Sequence, residues 1–110
     1  MRSDHCLVNY IGTNIVEDLI NKNVYWIEDR TVKGGRIKSV SFTEEKIILV
    51  KVCPFENGSF KSDHTRYFSE NKCGGMLNLS FEDKKIELLN QMHHEYNKIR
   101  DMPNPIRIMN

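Results

Sequence analysis

The stretch Lys46–Phe60, "KIILVKVCPFENGSF", decides how this chain folds. Its first seven residues alternate two apolar sets. Ile47 and Leu49 face one way; Ile48, Val50 and Val52 face the other. A strand that is apolar on both faces belongs in the middle of a sheet, covered on both sides. Asn57-Gly58 follows, the dipeptide that best tolerates the two positive φ angles of a type I′ hairpin turn. A two-residue loop there sets Phe55 opposite Phe60 as an aromatic cross-strand pair. Carried onward, that register pairs Ile48 with Tyr67, Val50 with Thr65, Lys51 with His64 and Cys53 with Ser62. Pro54 lacks an N–H and belongs at an edge or a bulge.

Working outward, Val24–Ile27 ("VYWI") is β-branched or aromatic throughout and reads as a strand. Glu28–Thr31 makes a polar turn, and a second strand runs from Val32 to Phe42 with Gly34-Gly35 inside it. Paired glycines there read as a bulge, the alternative being that they form the hairpin turn themselves. Upstream, residues 14–22 read as a short helix: Asn14 caps it, Glu17 stands at capping-box spacing, and Ile15, Val16, Leu19 and Ile20 form its stripe. Asp4–Ile11 alternate enough for a short edge strand. Downstream, Ser80 caps a helix with Asp83 at the reciprocal position. Leu89, Met92, Tyr96 and Ile99 recur at 3-4-3 spacing beside Phe81 and Leu88, which predicts one long helix over residues 81–101. Pro103 and Pro105 end it, leaving an extended tail at 102–110.

The expected architecture is a single α+β domain. A four- to five-stranded antiparallel meander over residues 24–68 curls into an SH3-like barrel. A short helix precedes it and a long one covers its flank.

Bulk composition narrows the function. The 110 residues carry a formal net charge of +1 with 28% charged residues, so any basic field is local. Eleven Asn, eleven Ile and ten Lys stand against no Ala, a skew that follows from A/T-rich coding rather than from a fold. Three widely spaced cysteines, Cys6, Cys53 and Cys73, are not a disulfide framework. The N-terminus has no secretory h-region and no apolar run approaches the roughly 20 residues of a membrane span. The expectation is a cytoplasmic protein without membrane contact.

Catalytic and metal grammar is missing. No C-x-x-C pair occurs, and His93-His94-Glu95 lacks the second histidine of H-E-x-x-H. Adjacent histidines on a helix diverge by about 100°. Asp63-His64 on a strand would face opposite sides. Cys53 and His64 have no elbow or oxyanion context around them. The expectation is therefore no enzyme, no metal and no cofactor.

Two binding readings remain. "VKGGRIKSV", Val32–Val40, resembles the core of the KOW motif through Lys33, Gly35, Ile37 and Val40. That resemblance implies an RNA-associated SH3-like module. In it Arg30, Lys33, Arg36 and Lys38 neutralise phosphates, and Tyr25 or Trp26 stacks on a base. Glu28, Asp29, Glu44 and Glu45 lie beside this group and weaken its field.

The other reading is protein binding. The helix seam uses Met92 and Tyr96, residue types enriched at interfaces, and the tail offers Ile106 and Ile108. Glu44 and Glu45, with Asp29, form an acidic cluster near the hairpin turns. The partner is then a host protein, or a second copy through the C-terminal helix. In size and style the chain is similar to small accessory proteins of phages and mobile elements, including anti-CRISPR and other anti-defence inhibitors. That resemblance implies stoichiometric occlusion of a partner and leads the reading; the KOW-like nucleic-acid module is the alternative.

Overall fold

The computed structural model describes residues 16–42, 48–70 and 76–106. Five antiparallel strands form one sheet: β1 (Asn23–Glu28), β2 (Thr31–Phe42), β3 (Ile48–Glu56), β4 (Ser59–Phe60) and β5 (Arg66–Glu70). The order is β1-β2-β3, with β4 and β5 both pairing β3. Two helices follow, α1 (Phe81–Gln91) and α2 (Tyr96–Arg100).

β3 is central, as its two apolar sets predicted, with β2 and β5 on either side. Both tight hairpins close through two-residue turns. Asn57 (φ 50°) and Gly58 (φ 87°) make the expected type I′ turn, and Phe55 pairs with Phe60 at 4.9 Å between ring centroids. Asp29 and Arg30 make the other, at φ 54° and 60°.

Several expectations are corrected. The sheet is open: β1 and β5 share no backbone pair, so it is not an SH3-like barrel. Beyond β4 the expected register slips by three residues, because Ser62–His64 forms a 3-10 turn that consumes them. Val50 therefore faces Phe68, Ile48 faces Glu70 and Lys51 faces Tyr67. The Gly pair lies inside β2 in regular pairing; the irregularity falls between Ile37 and Ser39 instead. Gly34 and Gly35 are there for close approach. A Cβ on Gly35 would stand 2.6 Å from Val52 Cγ1, and one on Gly34 2.7 Å from Ile106 Cγ1. Of the described residues in the expected helix over 14–22, Val16–Leu19 form a 3-10 turn leaving through Asn21 at φ 71°. The expected strand at Asp4–Ile11 and the Asn14 cap lie outside the described residues.

The long C-terminal helix is two. Ser80 caps α1 as read, its Oγ accepting from the Asp83 N–H at 3.3 Å. The helix stops at Met92 (φ −135°, ψ 51°), passes through a 3-10 turn at His93–Glu95 and restarts as α2. That break changes the phase of everything after it. Ile99 still reaches the core, but Tyr96 stands 52% exposed.

Two apolar layers result. On one face Trp26, Val50, Val52 and Phe68 pack with Leu19, Ile37 and Leu77. On the other, Tyr25 and Val32 meet Phe81, Leu88 and Ile99 from the helices. The described part of the tail is docked: Ile106 packs beside this second layer, and Asn104 Nδ2 donates to Tyr25 Oη at 3.2 Å. No described helix is long and apolar enough to cross a membrane.

Candidate functional site

The two tight hairpins share a root and part at their tips. β2 and β3 pair from Phe42↔Ile48 down to Gly35↔Pro54 and no further. Beyond that pair β2 continues to Thr31 against β1 alone, and β3 continues to Glu56 against β4 alone. The space between the diverging tips is a cleft of about 520 Å³, within the usual range for ligand sites. One lip is Thr31–Gly34 and the other Pro54–Asn57. Trp26 and Arg66 lie at one side, and Met102, Pro103 and Pro105 of the tail close the other.

Strand periodicity sets the chemistry of the cleft. Trp26 and Glu28 are two apart on β1; Arg66 and Phe68 are two apart on β5. Each pair therefore shares a face. In a flat sheet, β1 and β5 would be separated by roughly 14 Å, three strand spacings. Twist and long side chains bridge the gap. The Trp26 and Phe68 rings are 5.0 Å apart, and the Arg66 guanidinium lies over Trp26 at 5.7 Å and over Phe68 at 5.4 Å. Arg66 Nη1 also pairs with Glu28 Oε1. Trp26 is 2% exposed and its Nε1 is buried with no hydrogen-bond partner among the described residues. Across the cleft, Glu56 Oε2 stands 3.6 Å from His64 Nδ1. Lys33, paired in register with Trp26, has no ion-pair partner among the described residues.

Backbone parity fixes which side each residue of β1 and β2 addresses. Tyr25 gives its N–H and C=O to Asn78 on the outer edge of β1, at 2.8 and 3.0 Å. Trp26 therefore faces β2, and Lys33 opposite it faces β1. Ile37 obeys the same parity, bonding Asn21 and Lys22 on that side. Residues of the other parity face β3. Arg36 finds Cys53 there, but Val32 lies beyond the last pair. Val32 itself is 3% exposed and belongs to the buried layer that Met102 and Ile106 pack against.

The basic residues singled out in the sequence do not make one patch. Arg30 is exposed at the hairpin tip, Lys33 lines the cleft, and Lys38 is exposed beside the β2 irregularity. Arg36 lies on the opposite face from Lys33, 4.0 Å over the Phe60 ring. Of the proposed protein-contact residues, Met92 is half-buried at the helix break and Ile106 is packed against Gly34. Tyr96 is exposed on α2. Glu44, Glu45 and Ile108 lie outside the described residues. Asp63 and His64 come within 3.7 Å of each other because they sit on a 3-10 turn rather than a strand, and both are exposed. Cys53 is a buried free thiol. Among the described residues no three His, Cys, Asp or Glu side chains gather as metal ligands.

Sequence reading passed over Glu28, Phe55, Glu56 and Arg66 as site residues. Period two already ties Glu28 to Trp26 and Arg66 to Phe68. What it does not give is the parting of the hairpins, which depends on where β2–β3 pairing ends. No protein-family model, curated protein or solved structure matches this chain.

Proposed function

We propose that this chain is a small non-catalytic binding protein that engages a partner protein through the cleft between its two hairpin tips. The observation that carries this is the cleft itself. It is an open space of about 520 Å³ walled by aromatic, proline and methionine side chains, with Lys33 on one lip and Glu56 on the other. Mixed apolar and polar lining of this kind suits a protein segment. Lys33 and Arg36 lie on opposite faces of β2, which disfavours a continuous phosphate track through them. Acting as a stoichiometric inhibitor or adaptor inside a host cell, in the manner of small phage and mobile-element proteins, is the form this function takes.

The test is capture from the native cell with the wild-type chain and with Lys33→Glu and Glu56→Lys, each checked for folding by its thermal transition. A protein recovered at defined stoichiometry by the wild type and lost with either lip variant sustains the proposal. Recovery of nucleic acid, with affinity falling steeply as salt rises, supports the KOW-like alternative instead.

A further inference from the structure

We infer that the face of β3 and β5 left bare by the helices binds single-stranded nucleic acid, with phosphates against Lys51 and Arg36 and a base stacked on Tyr67. This surface lies on the other side of the sheet from Lys33. It is a second binding site and does not rest on the partner protein at the cleft.

The pairing register assembles the surface. Val50 and Val52 of β3 point into the buried layer with Trp26, so Lys51 and Cys53 point the other way. Cross-strand partners share that face: Arg36 beside Cys53, and Ser39 and Tyr67 on either side of Lys51. The helices pack on Tyr25 and Val32, over β1 and the adjoining part of β2. Further across, Tyr67 is 61% exposed, and Ser39 and Ser69 are exposed near it.

The chemistry of this face is cationic and aromatic. None of the β2, β3 and β5 residues on it is acidic. Neither Arg36 nor Lys51 has an ion-pair partner among the described residues. Each is set against a ring instead. The Arg36 guanidinium lies 4.0 Å over Phe60, and Lys51 Nζ is 5.9 Å from the Tyr67 centroid. A cation beside an open ring is the arrangement that holds a phosphate and stacks its base. Tyr67 supplies the open ring, and the Ser39 and Ser69 hydroxyls are donors for phosphate or sugar. An acidic protein surface answers the cations but brings no base to the ring. A duplex keeps its bases stacked inside, so the single strand is the form that uses both features.

The experiment measures fluorescence anisotropy of a labelled oligothymidylate, about 15 nucleotides long, against the wild-type chain and variants of matched thermal transition. Two phosphate contacts predict binding that weakens about sevenfold between roughly 50 and 200 mM salt. Lys51→Glu should weaken binding and flatten that salt dependence. Tyr67→Ala should weaken it at least about fivefold with the salt dependence unchanged, and Tyr67→Phe should restore it. No binding at low salt overturns the inference, as does a Tyr67→Ala variant that binds like the wild type. Loss with Lys33→Glu but not with Lys51→Glu also overturns it, in favour of the KOW-like route over the opposite face. A polyglutamate peptide that displaces the oligonucleotide at equal charge overturns it too, and assigns the face to an acidic protein. Partner capture at the cleft is read separately, so failure here leaves that reading standing.

Discussion

Glu70 ends β5 with its side chain fully buried, and its Oε1 accepts from the backbone N–H of Leu77 at 2.9 Å and of Met76 at 3.0 Å. One carboxylate thus ties the end of the sheet to the segment leading into α1. Its second oxygen, Oε2, is buried without a hydrogen-bond partner among the described residues. A carboxylate so placed is held by two dipoles and starved of solvent, and the second effect is the larger.

Burial pushes the Glu70 carboxyl up from 4.5 to about 7, against the opposing pull of the Leu77 and Met76 N–H groups and of Lys84. Between those pH values the folded chain holds a proton that the unfolded chain has released. Stability must therefore fall as pH rises through this window and stay lower above it, by about 3 kcal/mol at the upper limit. Glu70→Gln removes the titration while keeping an oxygen for both N–H groups. Chemical denaturation from pH 4.5 to 8 should show a falling wild-type curve and a flatter variant curve, with the variant the more stable at pH 8. Parallel curves would mean that the Glu70 side chain reaches water.

The break at Met92 makes opposite forecasts for Leu88, read beside the helix seam, and Tyr96, read within it. Leu88 is fully buried among Tyr25, Phe81 and Ile99, and Leu88→Ala should cost about 2–5 kcal/mol. Tyr96, with an exposed ring that Arg100 overlies at 5.8 Å, should tolerate Ala within about 0.5 kcal/mol. Thermal or urea unfolding of the two variants measures both. An equal loss would restore the continuous helix.

That contrast marks the boundary of what the sequence discloses. Alternation in Ile47–Val52 located the central strand, and Asn57-Gly58 located a turn and its first cross-strand pair, because both signals are local and periodic. Ser80 and Asp83 placed the start of α1 for the same reason. The helix break, the three-residue slip at Ser62–His64 and the docking of Ile106 on Gly34 depend on tertiary packing, which no local pattern encodes. The cleft was half legible. Lys33 and Trp26 were noticed, but as parts of a basic face. Arg66 joins them only through a non-local arrangement that puts β5 across from β1.

The Asp29-Arg30 turn offers a stabilising change. Both residues hold positive φ, at 54° and 60°, and Arg30 has neither glycine's freedom nor the short polar side chain that eases Asn and Asp into that region. Arg30→Gly relieves the Cβ crowding but loosens the unfolded chain, and the balance favours folding by about 0.5–1 kcal/mol. A rise in the urea midpoint with unchanged slope is the expected signature. Because Arg30 is exposed at the tip and does not line the cleft, partner capture with this variant should match the wild type.

The two adjacent glycines of β2 answer to different neighbours, and substitution separates them. At Gly35 a new Cβ would meet Val52 Cγ1 at 2.6 Å and the backbone oxygen of Cys53 at 2.7 Å, both inside the central pairing of β2 with β3. Neither can retreat without opening the ladder at the root of the cleft, so Gly35→Ala should cost about 2 kcal/mol or more. At Gly34 the obstruction is the Ile106 side chain at 2.7 Å with Pro105 at 3.1 Å, both on the tail rather than in the sheet. Gly34→Ala should therefore displace the tail at a global cost of about 1 kcal/mol or less. The displacement should appear as faster amide exchange at Ile106, whose N–H otherwise donates to Asn104 Oδ1 at 2.9 Å. With the tail moved, the wall at Pro103 and Pro105 withdraws and the cleft widens. A variant that keeps its fold and loses Ile106 protection would show that the tail, not the sheet, encloses Gly34 and sets the width of the cleft. Unchanged Ile106 exchange with a large loss of stability would show instead that Gly34 is as rigidly enclosed as Gly35.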